Sequence, residues 1–470
     1  MRKRKVITLV TALSALLFLV AAGCGTSNTS ATNETTSASG PFSWTSAKGQ
    51  TINVLLEKHP WMTPAIQHIS QFEKLTGITV KYTEAPESSY FDKVSTVLSA
   101  RNGSTDVIMT GAYQAWQYGS AGYFQDLNSF VNNPSLTSPD FDISDFLPTA
   151  LGDSKWDLKP GDPVGTGELL AIPVGMDTDP LSYNVQAFKK AGITSPPKTL
   201  RELYQDAVKL KDWNGPGSYG LVVRGARSWD AVVTGDIASF TAAGGKDFNV
   251  ENGKLKSGFG SPQAVEWARQ WSAILRDGGA PGWANYQNWQ TLSDFGAGKA
   301  AMMWDDDTGV FWENLPGASA EAGKLAVAMP PAGPDGQIAS DQWLWSLAMN
   351  KYSKHKTAAW LFIQWATGKQ LMAWGALHGY LIDPVRASVW NNPDFINYVK
   401  TKGPKGYYDT VKALYPHAKM NFTPQPYFFQ TATDWAVAIQ NMVNGQASPS
   451  QGMKALAQQV DNLVKDVSVK

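Results

Sequence analysis

Apolar and polar positions along this chain repeat with two periods. Residues 51–56, Thr-Ile-Asn-Val-Leu-Leu, read as a buried strand. Ile66, Ile69, Phe72 and Leu75 then recur at helical spacing, which predicts a helix over 63–75 stopped by Gly77. A strand over 78–82 follows, then a helix over 90–100 carrying Phe91, Val94, Val97 and Leu98, then a strand over 106–109. Alternating strand and helix argues for an α/β fold with a mostly parallel sheet flanked by helices. Ligands of such sheets bind past the carboxyl ends of strands. Glu57, His59, Trp61, Thr110, Gly111 and Tyr113 fall there.

A second alternating region begins near Leu169. Strands are expected over 170–174 and 181–183, and again over 300–304, 325–329 and 344–349. Helices are expected over 200–210, 229–243, 262–276 and 288–297. The last quarter reads as helical, over 356–367, 369–377, 394–401, 431–444 and 451–467. The stretch 132–167, rich in Pro, Asp and Gly, reads as an insertion or crossover. No internal repeat is visible.

The first 24 residues follow a different pattern. Arg2, Lys3, Arg4 and Lys5 precede an apolar run from Val6 to Val20, and Ala21-Ala22-Gly23-Cys24 ends it. A basic end, a short apolar core and small residues are the parts of an export signal. The run is shorter than the ~20 residues that span a bilayer. Cys24, the one cysteine in 470 residues, follows the small residues as in the lipobox of bacterial lipoproteins, which this segment resembles. The resemblance implies a signal peptide over 1–23 and an acylated Cys24 at the outer face of the bacterial cell membrane. Residues 25–40 contain nine Ser or Thr in sixteen. They cannot bury apolar surface, so a disordered tether is expected over 24–47, its first sixteen residues reaching roughly 20–25 Å.

Composition narrows the function. Without the four basic residues of the signal, 36 basic side chains face 40 acidic ones. No basic patch or arm suggests nucleic acid as a partner. The aromatic content is high, with 19 Trp, 16 Tyr and 19 Phe. Many Trp stand beside polar residues, as in Arg227-Ser228-Trp229-Asp230 and Met303-Trp304-Asp305-Asp306. Flat rings beside carboxylates and guanidinium groups suit a carbohydrate, which offers C–H faces and a rim of hydroxyls.

Several segments, in order, resemble the extracellular solute-binding proteins of ABC importers, the family of maltose-binding protein. Phe72-Glu73-Lys74-Leu75-Thr76-Gly77-Ile78-Thr79-Val80 resembles its F-E-x-x-T-G-I-x-V segment, and Asp106-Val107-Ile108 its D-V strand. Ile172-Pro173-Val174-Gly175-Met176-Asp177-Thr178-Asp179 and Tyr183-Asn184 resemble the entry to its second lobe. Phe188-Lys189-Lys190-Ala191-Gly192-Ile193 and Pro196-Pro197-Lys198-Thr199 continue the match. Phe295-Gly296-Ala297-Gly298-Lys299-Ala300-Ala301-Met302 resembles F-x-x-G-K-A-A-M, and residues 358–367 a C-terminal lobe helix. The resemblance implies a two-lobed periplasmic-binding-protein-like fold with a ligand cleft at the hinge. Residues 48–165 plus 303–340 are expected in the first lobe and 170–300 plus 343–430 in the second. Residues 431–470 are expected as helices near the hinge. The family's role implies a monomer that closes on a sugar or polyol and delivers it to a membrane permease.

Such a cleft must join stacking rings to paired polar groups. The first-lobe candidates are Glu57, Trp61, Tyr90, Tyr113, Trp304 and Asp306. The second-lobe candidates are Asp177, Arg227, Trp229, Asp230, Trp343 and Trp345. The tryptophans offer faces, the aspartates accept from vicinal hydroxyls, and Arg227 donates. Enzyme chemistry fits less well. Asp177-Thr178-Asp179 resembles the paired aspartates of phosphotransfer hydrolases, but Pro180-Leu181 departs from that pattern, and no Walker-type loop occurs. A secreted carbohydrate hydrolase would need two carboxylates about 5–9.5 Å apart across the scissile bond, and the segment order argues against one. No catalytic residue, cofactor or metal is expected. The five histidines show no HExxH spacing. Asp305-Asp306-Asp307 and Asp140-x-Asp142-x-x-Asp145 lack the calcium loop's glycine and terminal glutamate and are expected as solvated surface.

Overall fold

The computed structural model describes residues 40–469. The signal segment 1–23, Cys24 and residues 25–39 of the expected tether lie outside the described residues. Residues 40–47 are folded, contrary to the expectation of a tether. Turns run through 44–49, Ala47 is buried, and Phe42 and Trp44 rest on the core. Those three residues carry apolar surface that a Ser/Thr tether lacks.

The strands β1 (Thr51–Glu57), β2 (Thr79–Ala85) and β3 (Val107–Gly111) pair in parallel with β1 in the middle. The crossovers are α1 (Thr63–Thr76) and α2 (Glu87–Ser99). Pro64 opens α1, where its missing N–H is no loss. Gly77 ends it at φ 70°, a left-handed cap that glycine adopts without strain. The strand β4 (Ile172–Thr178) is buried along its whole length.

After Asp179 and Pro180 the chain enters a second sheet. Its strands are β5 (Leu181–Asn184), β6 (Tyr219–Val222), β7 (Ala300–Trp304) and β8 (Leu325–Ala328), in the order β8-β5-β7-β6. The helices α3 (Pro262–Gly278) and α4 (Asn288–Gly296) cover it, and α5 (Asp307–Glu313) follows β7. The chain then returns to the first sheet through β9 (Ser340–Met349) and β10 (Ala418–Lys419). The helix α6 (Lys356–Ala366) packs on β1 and α1. The last helices, α7 (Phe428–Val443) and α8 (Pro449–Val464), pack on α3, and α7 also meets helix Ala112–Ser120 of the first lobe.

Each sheet makes one lobe, and both sheets are mixed rather than mostly parallel. The strand β9 runs antiparallel to β3 and β4, and β5 runs antiparallel to β7 and β8. The lobe assignment of the later strands is the reverse of that expected. Residues 300–328 complete the second sheet, and 343–377 build on the first. The expected helix over 229–243 is two pieces, a 3₁₀ turn Trp229–Val232 and a helix Gly235–Ala242. Gly235 lies against Trp304, where an added Cβ would come within 2.9 Å of the backbone oxygen. The break leaves Thr234 outside the helix. Asp305, Asp306 and Asp307, expected as solvated surface, are buried between the lobes. Asp142 and Asp145 pair with Lys369 and Arg386.

Candidate functional site, an aromatic and acidic cleft

A pocket opens where strand ends of both sheets meet, as expected for α/β sheets. His59 follows β1, Asp177 lies at the end of β4 and Asp179 just past it, Arg224 follows β6, and Asp306 and Thr308 follow β7. Glu87 enters from the first residue of α2, Asn288 and Trp289 from the start of α4, and Trp343 and Trp345 from β9. With the open solvent at its mouth the pocket encloses about 540 Å³.

Rings from both lobes form its walls. Trp229 of the second lobe stacks on Trp343 of the first, with centroids 5.5 Å apart and planes 21° apart. Trp345 stands edge-on to Trp343 at 5.4 Å and stacks on Phe91 behind it at 5.6 Å. Gly111 makes room for Trp343, since a Cβ there would approach its ring to 2.6 Å. His59 and Trp312 complete the wall, and Trp289 stands 46% exposed at the mouth.

The polar groups are dominated by carboxyls. Arg224 donates from Nε and Nη2 to Asp305 Oδ1 at 3.0 and 2.7 Å, and Nη2 lies 3.7 Å from Asp306. Its backbone partner is the Asp230 carbonyl at 3.4 Å. Asp306 caps α5, accepting from Gly309 N–H at 2.6 Å, and also accepts from Asn288 and Thr308. Asp177 accepts from Thr308 Oγ1 at 2.5 Å. The Thr234 hydroxyl is buried with no hydrogen-bond partner.

Burial sets the protonation of these groups. It pushes the Glu87 carboxyl up to about 7; Asp230 and Asp306 reinforce this, and Arg224 opposes it. The Asp306 carboxyl also rises to about 7, through burial and then Asp305, against the pull of Arg224. Asp177 and Asp179 lie well above the usual carboxylate range, first by burial and then by neighbouring aspartates. Burial lowers the His59 ring to about 3. Its Nδ1 accepts from Trp61 N–H at 3.3 Å, so the neutral ring carries its proton on Nε2.

Five of the twelve sequence candidates line this pocket: Asp177, Trp229, Asp306, Trp343 and Trp345. The other seven do not. Tyr90 is fully buried and donates to the carbonyls of Leu55 and Met109 at 2.9 and 2.6 Å. Tyr113 donates to Asp341 at 2.5 Å and stacks on Phe428. Trp61 packs on Gly175, and Trp304 donates to the Asp179 carbonyl inside the second lobe. Glu57 is buried behind Glu87, its carboxyl raised to about 8 by burial and by Glu87 and Glu84. Arg227 is exposed and donates to Gln440. The Asp230 carboxylate is capped by Ser228 just behind the wall. Glu87, Asp179, Arg224, Thr234, Asn288, Trp289, Thr308 and Trp312 line the pocket but are not among the twelve sequence candidates, and neither is His59, which the sequence places only past a strand end.

Known proteins agree with this architecture. The chain belongs to the bacterial extracellular solute-binding protein family, whose model matches residues 48–373. An erythritol/L-threitol-binding protein of Mycolicibacterium smegmatis is 36% identical over 439 residues, 93% of this chain and 91% of the relative. The fold matches a ribitol complex of an Agrobacterium radiobacter ABC transporter solute-binding protein with a TM-score of 0.75, at 22% identity over 89% and 99% of the two chains. It matches maltose-bound T. maritima MalE3 with a TM-score of 0.74, at 21% identity over 88% and 99%. These relatives are binding proteins rather than enzymes. Among the described residues no helix is long and apolar enough to cross a membrane.

Proposed function

We propose that this solute-binding protein captures a small polyhydroxylated ligand, a polyol or a sugar, in the cleft between its lobes. The observation that carries the reading is the Thr234 hydroxyl, buried and unpartnered beside the Trp229 and Trp343 rings and the Asp177 and Asp306 carboxyls. Hydroxyls of a ligand would satisfy it and the carboxyls, while C–H faces cover the rings. The erythritol/L-threitol-binding relative, similar over almost the whole chain, supports a short polyol over a long oligosaccharide. Closure on ligand contacts from both lobes gives the signal to a membrane permease of an ABC importer.

A thermal-shift screen over erythritol, L-threitol, ribitol, D-mannitol and maltose tests this. A ligand at 100 times its Kd adds about 2.7 kcal/mol of stability, so at least one polyol or sugar raises Tm clearly. No shift with any of them, or steady turnover of a glycoside by pure protein, would reject the reading.

Anchoring belongs to the same proposal. The lone Cys24 after small residues and before a Ser/Thr-rich stretch supports an acylated monomer held at the outer face of the bacterial cell membrane. A Cys24→Ala protein should leave the membrane fraction or stay unprocessed. A cleaved Cys24→Ala protein that stays on the membrane would refute the lipid anchor.

A further inference from the structure

A pocket that closes must balance the charge it buries. Four carboxyls face into this one, from Glu87, Asp177, Asp179 and Asp306. Arg224 is the one basic side chain among the described lining residues, and Asp305 already engages it through two nitrogens. His59 is held neutral by burial. Burial and neighbouring aspartates favour the protonated form of Asp177 and Asp179, so the excess of negative charge comes from Glu87 and Asp306 once these ionise. The ring faces add to it, because a π face attracts cations. The Thr234 hydroxyl, buried and unpartnered, adds one more polar group for an occupant to satisfy.

We propose that the cleft selects its polyhydroxylated ligand by charge. An amine-bearing polyol or amino sugar binds more tightly than the neutral compound of the same skeleton, and the carboxylate or phosphate analogue is rejected. The inference rests on the polyol-or-sugar reading and adds the charge of the ligand to it. An ammonium group supplies the cation that the walls lack. It sits within reach of carboxylates in a water-poor space, where opposite charges attract far more strongly than in water. An anion meets the Glu87 and Asp306 carboxylates there, and Arg224, the one cation of the described lining, is already paired with Asp305. A neutral polyol leaves the balance to protons. Glu87 and Asp306 then keep theirs below about pH 7 and lose them as pH rises. Affinity for a neutral polyol therefore falls from pH 6 to pH 8, and the advantage of the amine grows.

Calorimetric titration of the purified protein with matched probes tests this. The neutral probes are erythritol and D-glucitol. Their 1-amino-1-deoxy counterparts carry the cation, and erythronate and D-gluconate carry the anion. At pH 8 each amine that shares a skeleton with a bound polyol should bind at least tenfold tighter, and each carboxylate at least tenfold weaker. At pH 6 the advantage of the amine should shrink severalfold. Glu87→Gln, a half-buried position with room for the amide, should narrow it at pH 8 at least threefold. Equal or weaker binding of the amine, or a carboxylate that binds like its polyol, overturns the charge selection alone. If no probe of any charge binds, the charge selection falls, and the polyol-or-sugar reading falls with it only if the thermal-shift screen is also negative.

Discussion

Arg224→Met should lose about 3–5 kcal/mol of stability at pH 7.5, the usual cost of removing one partner of a buried ion pair. Arg224 is only 7% exposed, and Asp305 beside it is fully buried. Burial works against its charge, but the Asp305 and Asp306 carboxylates outweigh burial and hold it protonated. Methionine fills much of the space and provides no donor. Asp305 keeps only the Thr291 hydroxyl at 2.8 Å and the Asp306 N–H at 2.8 Å. The two aspartates then face each other without a cation. Protonation relieves them, so the deficit of the variant should shrink when unfolding is repeated at pH 5.5. Asp305→Leu on the Arg224→Met background should restore more than half of the loss, since an apolar pair of similar volume can replace a buried ionic one. Ligand capture should vanish in both variants. Urea unfolding decides the matter: a loss below 1 kcal/mol, or one unchanged by pH, would show that the pair does not hold this wall.

The alternation of apolar residues specified most elements to within a few residues. The strand over 300–304 and the helix over 369–377 match the structure end for end. Local pattern could not say which sheet a strand joins. The strand runs at 300–304 and 344–349 look alike in sequence, and only pairing with β5 or with β3 separates them. The same limit governs the site. Arg224 and Arg227 lie three residues apart, yet one points into the cleft and the other to solvent. Position relative to the strand end distinguishes them: β6 ends at Val222, and Arg224 comes two residues later. The Tyr90 and Tyr113 hydroxyls read as ligand donors, but a backbone carbonyl pair and a buried aspartate use them. No pattern along the chain announces those partners. Thr234 could have been found from its neighbour: a glycine inside an apolar helical run costs about 1 kcal/mol and signals a break.

Trp229 is where legibility from sequence and position in the structure coincide, and its removal should weaken capture at least tenfold, about 1.4 kcal/mol. It leaves the 3₁₀ turn of the second lobe and stacks on Trp343 of the first, so it serves both walls at once. Its other edge meets Phe91 and Phe429 at 5.4 and 5.6 Å. Trp229→Ala thus removes a ligand face and a contact that draws the lobes together. Trp229→Phe keeps part of each and should recover part of the affinity. Because Trp229 is only half-buried, melting without ligand should fall modestly. Trp360 is the contrast. It is fully buried on α6 against Phe130 and Phe141, and its Nε1 donates to Thr137 at 3.0 Å. Trp360→Ala should cost about 3–5 kcal/mol of stability and leave affinity unchanged in the protein that remains folded. Titration with the polyol found by the screen, beside urea unfolding, separates the two effects. If Trp229→Ala binds normally and unfolds like Trp360→Ala, Trp229 is core and the ligand sits elsewhere.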